Sequence, residues 1–286
     1  MNAPKNDNKF VPKQAYAATP QLYDKIVGFG MENLAKASLS NETIHDGITI
    51  HDNGCGTGAG SAAIMSLIAD KHKNISIKAT DIDNNALAVY QARAEKENWP
   101  SKCINVDCHS LPFADNSIDL SLWNNLVFIL PQESTLGLKE TYRTLKPGGK
   151  IVVNSWAYIP NLEPMQVTAM TTRPPGTQLP RDGLDEWYNA NKLEEVLIKG
   201  GFEKDKIVVE KVEVFTETVE IVQYATMLWS FVWGSTEAGW LKSDEERWDE
   251  AIAIFVRELR KTEGFEELED GRARLRFMAN VATATK

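Results

Sequence analysis

The chain has 286 residues, a formal net charge of -9 and a pI near 5.1, with 43% hydrophobic and 25% charged residues. That balance is typical of a folded globular protein and excludes disorder of the whole chain. The acidity and the lack of any lysine and arginine run argue against a nucleic-acid partner, and no 18-residue apolar stretch offers a membrane span. Cys55, Cys103 and Cys108 are odd in number and lack zinc spacing, so neither a disulfide framework nor a metal is expected. With a polar N-terminus lacking an apolar signal core, the expectation is a soluble cytoplasmic protein.

Residues 1–44 read as a tail followed by a helical segment. The first fifteen or so are disordered in composition, and 20–39 carries apolar residues at helical spacing through Leu22, Ile26, Phe29 and Leu34. Residues 45–157 alternate strand and helix: strand 47–53, helix 59–71, strand 75–81, helix 84–99 with Asp83 as N-cap, strands 102–106 and 118–123, helix 132–145 and strand 150–156. Such alternation implies an α/β fold, a mostly parallel sheet with helices on both faces.

Residues 158–191 contain Pro160, Pro164, Pro174, Pro175 and Pro180 and read as an irregular cap loop. Residues 192–218 hold a helix stopped by Gly200 and Gly201, then a sixth strand at 206–216. Residues 219–272 form a helical insertion, interrupted around Gly234 and Gly239, and 273–286 is a seventh strand expected beside the sixth. The expected fold is thus a Rossmann-like, seven-stranded, mostly parallel sheet with an N-terminal helical segment and a helical insertion.

Asp52, Gly54, Gly56 and Gly58 form D-x-G-x-G-x-G where the first strand gives way to a helix. Glycine there lets the backbone approach a ligand, and the helix N-terminus offers unpaired N–H groups to a carboxylate. Asp81, followed by Ile82, ends the second strand, where an acid hydrogen-bonds ribose hydroxyls in such folds. The spacing of Gly54, Gly56 and Ala59 also fits the dinucleotide pattern G-x-G-x-x-A, which leaves a nicotinamide oxidoreductase open at this point.

The segments 105–120 (NVDCHSLPFADNSIDL) and 145–153 (LKPGGKIVV) resemble class I S-adenosylmethionine-dependent methyltransferases. The likeness is to the small-molecule branch that includes the ubiquinone-biosynthesis C-methyltransferases, and it covers roughly residues 51–156. It implies S-adenosylmethionine as cofactor and S-adenosylhomocysteine as product, with the methionine carboxylate at the glycine turn. It further implies that Asp107 binds the adenine amino group, that Cys108 offers its backbone N–H, that Leu111 and Phe113 wall the adenine, and that His109 is a neighbour. Tyr16 and Tyr23 resemble tyrosines that close over the methionine portion in related enzymes. Residues 146–149 join a helix to a strand at the sheet edge opposite the ligand and read as turn chemistry.

Methyl transfer from a sulfonium needs an in-line nucleophile, so the enzyme mainly positions the partners and excludes water. Trp123, Asn124 and Asn125 follow the fourth strand and Trp156 the fifth. Asn124 is therefore expected beside the cofactor, and Trp123, Phe128 and Trp156 in the pocket of a small-molecule acceptor. The aromatic cap residues at helical spacing read largely as core, yet they fall where the family inserts a substrate lid, which makes Trp229 and Trp233 substrate candidates. No catalytic residue is assigned, because His45, His51, His72 and His109 are not placed over a methyl group. A thiol, at a pKa of about 8.5, needs less help than a phenol at about 10. Residues 228–234 (LWSFVWG) resemble fungal secondary-metabolite methyltransferases, including thiol methyltransferases acting on gliotoxin-type dithiols. The likeness implies a thiol acceptor, with O- or N-methylation of an aromatic molecule, or a non-enzymatic cofactor-binding regulator, as alternatives.

Overall fold

The computed structural model describes residues 10–68, 74–130, 134–233 and 239–286, with the backbone alone at 184–185 and 231–233. The strands are β1 (Thr49–Asn53), β2 (Ser76–Asp81), β3 (Ser101–Asn105), β4 (Ile118–Trp123), β5 (Leu145–Tyr158), β6 (Ile207–Glu220), β7 (Glu266–Glu267) and β8 (Arg272–Thr285). They form one sheet in the order β3-β2-β1-β4-β5-β8-β6, with the two-residue β7 off that path on β8. The first five pair in parallel, and β8 enters antiparallel to β5. This is the expected Rossmann-like α/β architecture.

The helices are α1 (Pro20–Val27), α2 (Gly30–Ser38), α3 (Ala59–Ile68), α4 (Asn84–Lys96), α5 (Thr135–Thr144), α6 (Leu162–Thr172), α7 (Ala190–Lys199), α8 (Ile221–Trp233), α9 (Lys242–Glu246) and α10 (Trp248–Leu259). The chain divides into two compact units. One holds the residues up to Gly30 together with 159–185 and 215–277; the other holds 31–158, 186–214 and 278–286. Residues 31–44, expected to belong with the N-terminal segment, thus group with the sheet.

In the sheet unit, alternate residues of β5 face opposite ways. Ile151 and Val153 join a core with Leu138, Leu193 and Leu197, whereas Val152 joins another with Ala35, Ile50 and Ile64. A strand apolar on both sides needs helices on both sides, and the chain supplies them. Asp83 caps α4 by accepting the Asn85 N–H at 2.8 Å, and Asn189 caps α7 from the Asn191 N–H at 3.0 Å.

The other unit is built around Trp229, Tyr224, Phe255, Met165 and Leu22. Arg173 and Asp244, with side chains 1% and 0% exposed, form a bidentate ion pair at 2.8 and 2.6 Å.

Three local expectations change. Residues 158–191 are not wholly irregular, because α6 forms there with Pro164 in its first turn, where a missing N–H costs no helical bond. Phe29, read into a helical stripe, falls between α1 and α2 and is 71% exposed. Lys146 and the residues to Gly149 belong to a bulged start of β5, since the pairing slips from Ile118 with Leu145 to Leu120 with Lys150. There Gly148, at φ +78°, donates its N–H to the Lys286 carbonyl at 3.1 Å. The helix expected from residue 132 is described from Thr135, and 131–133 lie outside the described residues.

Candidate functional site

Parallel pairing brings the carboxyl ends of β1, β2 and β3 to one edge, with Asn53 opposite Thr80 and Asp81 opposite Asn105. Ligands in open α/β sheets bind at that edge. The glycine turn leaves β1 there, fixed by the Cys55 N–H to the Thr80 carbonyl at 2.9 Å. Gly56 has φ +51°, and a Cβ on it would meet nothing within 4 Å. Its backbone borders open space, as a ligand cradle requires.

Asp81 ties this turn to β2. Its Oδ2 accepts the Gly56 N–H at 2.8 Å and its Oδ1 the Asp83 N–H at 2.9 Å. An ionised carboxylate has about four acceptor sites, so two remain for hydroxyl donors. Ile82 beside it is 70% exposed. Asn105 donates to the carbonyls of Asp81 and Ile82 at 3.2 and 2.8 Å, holding the ends of β2 and β3 together.

Asp107 follows β3 and its side chain is 52% exposed. Cys108 is buried, and burial first, then the Asp107 charge, pushes its thiol up to about 12. Asp107, Cys108 and His109 offer ligand atoms within 4.8 Å of one another. His109 Nδ1 lies 2.8 Å from Asp107 Oδ1, which joins two of the three in a hydrogen bond. Leu111 and Phe113, expected to wall an adenine, lie instead in the core; Phe113 meets the His51 ring edge-on with centroids 5.1 Å apart.

Several expected ligands are corrected. Asp52 is 1% exposed and turned inward, with Oδ2 accepting the Ser61 hydroxyl at 2.7 Å. Burial pushes its carboxyl up to about 6, against the Ser61 hydroxyl and backbone N–H. It therefore anchors the first turn of α3 instead of reaching a ligand, and Gly60 is the residue that makes room: a Cβ there would lie 2.6 Å from Asp52 Oδ1. Asn124 has its amide engaged, donating to the Met31 carbonyl at 3.1 Å and accepting from Asn154 at 2.9 Å. Trp123 is fully buried and donates to Thr141 at 3.1 Å, so it is core. Trp229 is likewise fully buried, in the core of the other unit. In both cases helical or strand packing had first claim on the ring.

Phe128 is partly buried, its ring 6.3 Å from that of Trp187, and Trp156 is buried near the end of β5 at 6% exposure. Tyr16 is 45% exposed and Tyr23 half-buried, both in the unit that holds α1. The Trp233 side chain lies outside the described residues.

His51 is fully buried within the sheet, with Nε2 at 2.9 Å from the Thr80 hydroxyl. Burial, then the nearby Lys78 charge, pulls its pKa down to about 3. It is a neutral structural ring.

Residues 51–153 match the family described as a methyltransferase domain. That stretch contains the glycine turn, Asp81, Ile82 and the cluster at Asp107. A malonyl-[acyl-carrier protein] O-methyltransferase of Erwinia billingiae is 30% identical over 52% of this chain and 54% of its own length. A ubiquinone/menaquinone biosynthesis C-methyltransferase of Geotalea daltonii is 29% identical over 34% of this chain and 41% of its own. The chain thus spans about half or less of the length of these curated relatives. A phosphoethanolamine N-methyltransferase of Haemonchus contortus, solved with S-adenosylhomocysteine, is 18% identical and superposes with a TM-score of 0.52 over 93% of this chain and 56% of its own. At that identity the likeness speaks for the fold.

Sequence reasoning missed the support of the 107–115 loop. Arg143 donates to the carbonyls of Leu111 and Phe113 at 3.1 and 2.8 Å and to Asp115 at 2.7 Å. Glu140, itself bonded to Arg143 at 2.9 Å, accepts the Leu111 N–H at 3.0 Å. The E-x-x-R spacing on one helix face was the available signal. Asn154, bonded to Ser38 at 2.9 Å and accepting the Asn125 N–H at 2.7 Å, had none.

Proposed function

We propose that this chain is an S-adenosylmethionine-dependent methyltransferase acting on a small molecule. The observation that carries the reading is the row of groups at the carboxyl ends of β1 to β3: a Gly56 backbone facing open space, an acid with spare acceptor sites at Asp81, an exposed apolar Ile82 and a half-exposed acid at Asp107. Glycine backbone suits the methionine portion, Asp81 the ribose hydroxyls, Ile82 a face of the adenine and Asp107 its exocyclic amine. The two acids can accept from the cofactor's hydroxyls and amine, and the family match over 51–153 spans all four residues. Gly54 and Gly58, both at positive φ, shape the turn, and the backbone at Cys108 completes the adenine edge.

When bound, the cofactor supplies an electrophilic methyl group on a sulfonium. The chain's own part is to bind, orient and exclude water. Residues 123–125, at the end of β4, and 154–156, just past its pairing with β5, carry no ionisable side chain, so no base is offered there. That favours an acceptor that ionises with little help, for which a thiol of a secondary metabolite is our reading, since its ordinary pKa is about 8.5. A carboxylate, already ionised at neutral pH, is the second reading, favoured by the name of the Erwinia relative. Phe128 and Trp156 are proposed to border the acceptor.

The test is transfer of labelled methyl from S-adenosylmethionine to a panel of dithiols, malonyl thioesters, phenols and amines. Label appearing on a thiol supports the reading. Label on a carboxylate selects the second. No transfer to any member, with the labelled cofactor bound, points to a binding module.

A further inference from the structure

His109 stands outside the roles assigned so far, and its surroundings are specific. Its backbone N–H and its Nδ1 both meet one oxygen, Oδ1 of Asp107, at 2.9 and 2.8 Å. An ionised carboxylate only accepts, so Nδ1 carries the proton. The other ring nitrogen, Nε2, is buried and has no hydrogen-bond partner among the described residues. Protonating Nε2 as well would put a charge on the ring and leave a buried donor unmet. The ring is therefore held as the Nδ1–H tautomer, aimed at Asp107.

The loop that carries the pair is itself fixed. Ser110 donates its N–H to the Asp107 carbonyl at 3.0 Å, and the Glu140–Arg143 pair grips the chain from Leu111 to Asp115. With two donors from one residue on Oδ1, the carboxylate cannot rotate without losing both, although it is half exposed. An exposed aspartate on a free loop samples several rotamers, and binding a ligand then costs the entropy of choosing one.

We propose that His109 is a positioning residue that locks the Asp107 carboxylate so that Oδ2 is presented to the exocyclic amine of the cofactor's adenine. This rests on the cofactor reading above. His109 touches no reacting atom; it acts through Asp107, and its effect falls on discrimination between a purine that bears an amine and one that does not.

The test uses the full chain and calorimetric titration with two probes, S-adenosylhomocysteine and its deaminated 6-oxo analogue S-inosylhomocysteine. The wild type is expected to prefer the adenosine form by roughly tenfold or more, the range for a hydrogen bond to a charged group. His109→Ala should weaken S-adenosylhomocysteine alone and bring the preference to within about threefold. His109→Asn, whose amide N–H stands close to where Nδ1–H was, should restore most of it. In an Asp107→Ala background, His109→Ala should add no further loss. Thermal unfolding of each variant separates misfolding from mispositioning. Unchanged preference in a folded His109→Ala protein overturns the inference and leaves the cofactor reading intact. Failure of the wild type to bind S-adenosylhomocysteine overturns the reading beneath it and the inference with it.

Discussion

Asp81, Ile82 and Asp107 on one side, and Trp123 and Trp229 on the other, are all residues that a sequence reading nominates for a site, and the structure treats them in opposite ways. The first group lies half-buried or exposed at the carboxyl ends of β2 and β3, with polar atoms or apolar surface still accessible. The tryptophans are sealed, Trp123 under α5 and Trp229 among Tyr224, Phe255 and Met165. A large ring removes more apolar surface from water than any other side chain, so wherever the backbone allows, packing claims it first. A strand end alone does not give access, since Trp123 also ends β4; what packs over the end decides.

The largest effect should come from the sealed group. Trp229→Ala is expected to cost about 3–5 kcal/mol of stability, seen as a drop in the unfolding midpoint. Any folded fraction should bind S-adenosylhomocysteine as the wild type does. A loss of affinity with no loss of stability would return Trp229 to the list of ligand contacts.

Two neighbours in β1 sharpen the contrast through pH. His51 is neutral when folded, its pKa pulled from 6.5 to about 3. The unfolded chain takes up that proton first, so stability is lost as pH falls below 6.5 toward 3. Asp52, pushed from 3.8 to about 6, has the opposite sign: its contribution is full below 3.8 and lost as pH rises through 6. His51→Gln should flatten the acid limb of a plot of unfolding midpoint against pH, and Asp52→Asn should flatten the rise-linked loss. If neither slope changes, the two groups are not buried as described.

Smaller effects are expected in the accessible group. Asp81→Ala should weaken S-adenosylhomocysteine about ten- to a hundredfold, from a charge-assisted bond of roughly 1.5–3 kcal/mol, with a calorimetric titration as the check. Back among the buried positions, Gly60→Ala drives a methyl into the Asp52 carboxylate, and overpacking of that kind costs about 1–3 kcal/mol. Its unfolding midpoint should fall while the Gly56 cradle stays intact.

Much of the fold could be read in advance because its signals are local and periodic. The alternation of strand and helix from β1 to β5, the Asp83 cap and the pairing of β8 with β6 all follow from such signals. The failures have a common physical source. Prolines were read as breakers at 158–191, but Pro164 falls in the first helical turn, where the chain tolerates it. Opening the glycine motif makes Asp52 a ligand candidate, yet its side chain points under α3, and only Gly60, two residues beyond the motif, marks that choice. The Asn154 network joins Ser38, Asn124 and Asn125 across long stretches of chain, which spacing cannot reveal.

The measurement that tests the central claim most directly is calorimetric titration of the full chain with S-adenosylhomocysteine, with NADH in parallel. The account predicts micromolar binding of S-adenosylhomocysteine and none of NADH, with the affinity lowered by Asp81→Ala and by Asp107→Ala. Binding of NADH alone, or S-adenosylhomocysteine affinity indifferent to both substitutions, would contradict it.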